Sequence, residues 1–61
     1  MLAELRKQKG FSQSQLAKAT GISVRTIQAY EQGKRRLSGA SYDDLKKISD
    51  TLGVTIEELV K

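Results

Sequence analysis

The stretch from Gln13 to Gln32, QSQLAKATGISVRTIQAYEQ, is punctuated so closely that it predicts two short helices joined by a sharp turn. Ser12 stands before it as a favoured N-cap, and Gln15 lies three residues on, the spacing of a capping box. Leu16, Ala17 and Thr20 then follow at helical intervals. Gly21 predicts the stop, because glycine takes the left-handed C′ conformation without a Cβ clash. Ile22 reads as a buried turn residue, and Ser23 as the cap of a second helix. In that helix Ile27, Tyr30 and Glu31 recur at i, i+3 and i+4 on one face. The same register reads Tyr30 as a core residue with its hydroxyl at the rim rather than as a stacking platform. No proline interrupts either segment.

The flanks carry the same grammar. Met1 to Lys9 read as a helix with Leu2, Leu5 and Arg6 on one face and Lys7 and Lys9 elsewhere. Gly10 ends it and Phe11 enters the core. Gly33 stops the second helix of the pair, and a loop of roughly eight residues, long for a helix bundle, runs past a further turn at Gly39. Ser41 caps the next helix, with Asp43 and Asp44 where the helix dipole favours anions. Its inward stripe is Tyr42, Leu45, Ile48, Ser49 and Leu52, and Lys46, Lys47 and Asp50 face water. Gly53 stops it and Val54 packs behind. Thr55 caps a last short helix, with Glu58 at the capping-box position and Ile56, Leu59 and Val60 as its apolar residues. The expectation is an all-α fold, a compact five-helix bundle around one core, forming a single domain over residues 1–61.

Composition removes several functions. A chain of 61 residues buries only about 60% of its unfolded surface, so it has little stability to spare. It has no cysteine for a disulfide and neither cysteine nor histidine for a metal. Asp43 and Asp44 are adjacent, and adjacent helix positions diverge. No metal or cofactor is expected, and the usual acid–base and nucleophile pairs of an enzyme cannot be assembled. No run reaches the ~18 apolar residues of a membrane helix. Lack of cysteine suits a reducing cytoplasm, which is the expected location.

Charge points to a polyanion. The net charge is +4 and the pI about 9.7. Residues 1–36 hold eight Lys or Arg against Glu4 and Glu31, whereas residues 37–61 hold three Lys against five acids. The positive charge is therefore concentrated around the two-helix motif.

Gln13, Leu16-Ala17, the turn Gly21-Ile22-Ser23, Ile27 and the closing Glu31-Gln32-Gly33-Lys34, taken in order, resemble the helix-turn-helix of the phage Cro and repressor family. The resemblance covers nearly the whole chain. It implies a lambda-repressor-like DNA-binding domain whose second motif helix enters the major groove of double-stranded DNA. The positions matching the family's DNA-facing residues are Ser23, Val24, Arg25, Gln28 and Ala29. Arg25 suits the O6 and N7 of guanine, Gln28 suits adenine, and Val24 and Ala29 suit a thymine methyl. Ser23 serves as cap and backbone ligand. Gln13 matches a phosphate-binding position at a helix N-terminus, and Lys34, Arg35 and Arg36 are placed to straddle phosphates on the other side. In the family, an Arg of the first helix and the Glu after the aromatic form a buried ion pair. Arg6 and Glu31 occupy those positions.

These readings make the chain a transcriptional regulator, expected to be a repressor, that occludes a palindromic operator as a homodimer. The dimer is expected to be weak without DNA and to use Ile56, Leu59 and Val60. The alternative is a protein-interaction module, such as an antitoxin or adaptor that keeps the fold. Such a module would have no need of Arg25 and Lys34-Arg35-Arg36 around the second motif helix.

Overall fold

A computed structural model describes residues 2–60, so the expected helix start at Met1 and the charge at Lys61 lie outside the described residues. Within them the elements are α1 (Leu2–Gln8), α2 (Gln13–Thr20), α3 (Val24–Glu31), α4 (Tyr42–Leu52) and α5 (Ile56–Val60), with a single 3₁₀ turn at Leu37–Gly39. All of the regular structure is helical, as the spacing predicts.

Local chemistry explains the boundaries. Ser12 and Gln15 form the complete capping box: the Ser12 Oγ accepts the Gln15 N–H at 3.0 Å, and the Gln15 Oε1 accepts the Ser12 N–H at 2.8 Å. Thr55 and Glu58 repeat the device before α5, at 3.0 and 3.1 Å. Ser23 and Ser41 cap α3 and α4 through their hydroxyls alone. Gly21 closes α2 with φ +75°. Buried Thr20 then supports the turn from inside. Its Oγ1 donates to the Leu16 carbonyl at 2.8 Å and accepts the Ile22 N–H at 3.3 Å, so that buried amide is not stranded.

The short helices are held by what they bury. Leu16, Ile27, Ile48, Leu52 and Leu59 are almost fully inaccessible, and Leu2, Ile22, Tyr30 and Leu45 complete the core. α2 packs on both α3 and α4, α4 on α5, and α1 on α3. Leu5, Phe11, Val54 and Ile56 lie half-buried against this core. Helices of five to eight residues are marginal alone in water, so tertiary contact rather than propensity keeps them formed.

Two expectations change. Tyr42, read as part of the inward stripe, is 67% exposed. It occupies the first position of α4, and side chains lean toward a helix N-terminus, so it projects past the core that Leu45, Ile48 and Leu52 fill. The stretch after Gly33 is not plain loop. The 3₁₀ turn folds half-buried Leu37 back toward α5. Gly39 sits in that turn with no left-handed φ, so it does not share the role of Gly21.

Gly21 and Gly39 form a controlled pair, because a Cβ at either meets nothing within 4 Å. Gly21→Ala is expected to destabilise by about 1 kcal/mol through its left-handed backbone. Gly39→Ala is expected to be neutral or slightly stabilising. Urea unfolding of the two variants checks this, and equal losses would show that backbone conformation is not the cause.

Candidate nucleic-acid interface

α3 stands on a polar foundation. The Arg6 Nε donates to the Glu31 Oε2 at 2.7 Å, and the Arg6 Nη2 donates to the Glu31 Oε1 at 3.2 Å. The two side chains are only 10% and 7% exposed. The Arg6 Nη1 also donates to the Phe11 carbonyl at 2.8 Å, so the guanidinium ties α1, the following turn and the end of α3 together. Burial by itself would raise the Glu31 pKa. Hydrogen bonds from Arg6 and Gln13, with the positive charges of Arg6 and Lys7, outweigh it and hold the carboxyl below its ordinary value. The bond to Glu31 outweighs desolvation at Arg6 and raises its pKa.

The outward side of α3 carries the residues singled out for base contact. Arg25 is exposed, while Val24, Gln28 and Ala29 are half-buried. Ile27 and Tyr30 occupy the opposite, buried side. Ser23 is engaged in capping: its Oγ accepts the Thr26 N–H at 3.2 Å and lies 2.9 Å from the Thr26 hydroxyl. Gln13, at the start of α2, reaches across the motif. Its Nε2 donates to the Glu31 Oε1 at 2.9 Å, and its Oε1 accepts from the Gln28 Nε2 at 3.3 Å.

Lys34, Arg35 and Arg36 are all exposed just beyond α3. Their backbone is not free. The Ala29 carbonyl accepts the N–H groups of Lys34 at 2.9 Å and Arg35 at 3.2 Å, which ties the basic run to the last turn of α3. The Arg35 guanidinium lies over the Tyr30 ring, 5.5 Å from its centroid. A cation held over a ring in this way gives up none of its N–H donors to a hydrogen bond. Tyr30 is thus a core residue, as its register predicts, but one whose ring also supports a cation.

Sequence reasoning named candidate residues for the site but not the hydrogen bonds between them. The links from Gln13 to Glu31 and to Gln28 join residues 18 and 15 apart, which no periodicity reports. The Ala29 carbonyl and the Arg35–Tyr30 contact carry no side-chain signature either. The one available signal for Arg35 was an aromatic, Tyr30, five residues upstream of it.

A family model described as helix-turn-helix matches residues 2–59. The chain belongs to the Cro/repressor-type helix-turn-helix family. That family is one of DNA-binding transcription regulators, and the match runs from the start of α1 into α5. No match was found among curated proteins or among solved structures. Among the described residues, no helix is long and apolar enough to cross a membrane.

The Arg6–Glu31 pair gives a sharp test of what holds α3. Breaking a buried pair by removing one partner costs about 3–5 kcal/mol, because the other charge is stranded. Arg6→Met and Glu31→Leu are each expected to lose that much in thermal or urea denaturation. The double variant is expected to recover most of the loss, so the two costs will not add. The sign with pH is fixed as well. The folded pKa of Glu31 is depressed, so its contribution is complete above the unfolded value of about 4.3 and disappears as pH falls through the folded value. The double variant is expected to lack this part of the acid destabilisation. Additive losses, or an unchanged acid limb, would show that the pair does not act as a unit.

Proposed function

We propose that the chain is a sequence-specific double-stranded DNA-binding module that inserts α3 into the major groove and represses transcription as a dimer on a palindromic operator. The observation that carries this reading is the setting of Arg25. It stands in solvent on the outward side of α3, with Gln13 at one end of the motif and, at the other, Lys34 and Arg35 tied by their backbone to Ala29 and followed by exposed Arg36. A major groove about 12 Å wide admits one helix, with an amide donor at one end of the motif and cations at the other to meet the phosphates that line it.

The roles divide by chemistry. Arg25 reads guanine with its fork, Gln28 reads adenine, and Val24 and Ala29 offer apolar contact to a thymine methyl. Gln13 uses its remaining amide N–H, together with the α2 N-terminus, on a phosphate. Ser23 presents the capped start of α3 to the backbone. Tyr30 holds the Arg35 guanidinium in place, which lowers the entropy lost when it meets a phosphate. An interaction module that merely kept the fold would gain nothing from a basic run anchored to the end of α3.

One module touches too few base pairs to select a genomic site. Two copies related by two-fold symmetry overcome this on half-sites ~34 Å apart. The surface for pairing is α5 with its neighbour, the 3₁₀ turn. Leu59 closes the core, but Val60 remains exposed, and with Leu37, Leu2 and Ala3 it lines a groove on this side. Occlusion of a promoter is the simplest mechanism for a dimer seated on its operator.

Two measurements test the reading. In binding to a site selected from random duplex DNA, log K is expected to fall against log salt by about 0.9 for each phosphate neutralised. Arg35→Ala is expected to weaken all sequences alike and flatten that slope by about one unit. Arg25→Ala is expected instead to cost about 1–3 kcal/mol on the preferred site and to relax a single base position. A salt-independent affinity, or an unchanged preference in the Arg25 variant, would sink it.

The dimer is tested by moving one half-site by five base pairs, which turns it to the opposite face of the duplex. Affinity is expected to drop to that of a single half-site. Sedimentation with the same duplexes counts the copies bound, and an affinity indifferent to the move would rule out the symmetric pair.

A further inference from the structure

The hydrogen bonds that leave the buried ion pair do not end in the core. They run from Arg6 to Glu31, from Glu31 to Gln13, and from Gln13 to Gln28 on the outward side of α3. We propose that Gln13 relays the polarity of the Arg6–Glu31 pair to Gln28, and that this relay sets which base Gln28 prefers. The proposal rests on the reading that α3 enters the major groove, and it adds a positioning role for two residues behind the reading surface.

The argument is one of donors and acceptors. Arg6 has only donors, and the ionised Glu31 has only acceptors. The Glu31 Oε1 lies 2.9 Å from the Gln13 amide, so the Gln13 group facing it must be Nε2. The reversed amide would set a carbonyl against a carboxylate in a site where Glu31 is only 7% exposed, with no proton between them. The Gln13 carbonyl therefore faces Gln28 and can only accept. Gln28, 3.3 Å away, must in turn present Nε2 to it. One chain of obligate polarity thus fixes two amides that would otherwise rotate freely.

What remains on Gln28 is one N–H and its carbonyl, held in a fixed order. That pattern matches the N7 acceptor and N6 donor of adenine. Guanine presents two acceptors there, so the held carbonyl would face its O6 with no proton between. An unheld Gln28 escapes this conflict by pivoting to donate its amide protons, and so discriminates less. The relay converts a permissive amide into a selective one. It also links base choice to α1, which lies on the far side of α3 from the DNA in this reading.

The test separates the relay from the phosphate contact assigned to Gln13. Four proteins are compared on a set of duplexes that vary one base pair at a time, the pair facing Gln28 among them: the wild type, Gln13→Met, Gln28→Ala, and the double variant Arg6→Met/Glu31→Leu. The wild type is expected to favour adenine by about tenfold or more. Gln13→Met is expected to bring that ratio close to the value for Gln28→Ala, with preferences at other positions retained. The double variant keeps Gln13 and its phosphate contact but loses the carboxylate that orients it. It is expected to lose the adenine ratio, which is read between duplexes bound by the same protein and so does not depend on its total affinity. If Gln13→Met weakens every duplex equally and the ratio survives, Gln13 is a phosphate ligand alone and the relay is wrong.

A measurement without DNA stands apart from the groove reading. In the free protein, the Gln28 side-chain amide resonances are expected to move toward solvent-exposed values in Gln13→Met and in the double variant. Unmoved Gln28 resonances overturn the relay whatever the DNA data show. If they move and the wild type has no base preference, the groove reading is what fails, and the base-choosing role falls with it.

Discussion

The bidentate contact between Arg6 and Glu31 is the interaction on which the rest of the molecule depends. It is made between the first helix and the last residue of α3, 25 positions apart, in a protein with very little interior. A charge pair in such a place need not add to stability, since both ions lose water to form it. Its value is directional. Apolar packing of Leu16, Ile27 and Ile48 tolerates small rotations of one helix on another, whereas a forked guanidinium on a carboxylate does not. The third arm of Arg6, on the Phe11 carbonyl, adds the turn before α2 to the same node. Both helices of the motif are therefore referenced to one side chain.

The interface is built outward from that node. Gln13 stands on Glu31, and Gln28 stands on Gln13. The basic run after α3 is tethered by the Ala29 carbonyl, and Arg35 is steadied by the Tyr30 ring. Long polar side chains lose much rotamer freedom when they bind a partner. A surface whose glutamines and one of whose arginines are already held loses less of it. This is how a chain of 61 residues can offer a defined face without a large core beneath it.

Much of this was legible in the residues. Serine before each middle helix, glycine after α2 and α4, and apolar residues at i, i+3 and i+4 marked out five helices, because capping and periodicity are local effects that a few neighbours decide. The cationic half of the chain, with Arg25 and Lys34 to Arg36 in and just after the second motif helix, was equally plain. Tyr42 was misplaced because periodicity assigns an angle around a helix axis and says nothing about where along that axis the core ends. The 3₁₀ turn at Leu37–Gly39 left little trace because its glycine has an ordinary backbone and its packing comes from α5.

Secondary structure, fold class and the sign of the interface were thus determined by the sequence itself, through propensities and charges that act over a few residues. Which polar groups meet was decided only by the tertiary structure. Gln13 reads locally as a residue at a helix N-terminus, and Glu31 as the last residue of another helix. Only the packing of α2 and α1 against α3 brings a carboxylate with obligate acceptors beside an amide that can face either way. The order of donors from Glu31 through Gln13 to Gln28 follows from that encounter, and encounters between residues distant in the chain carry no local signature.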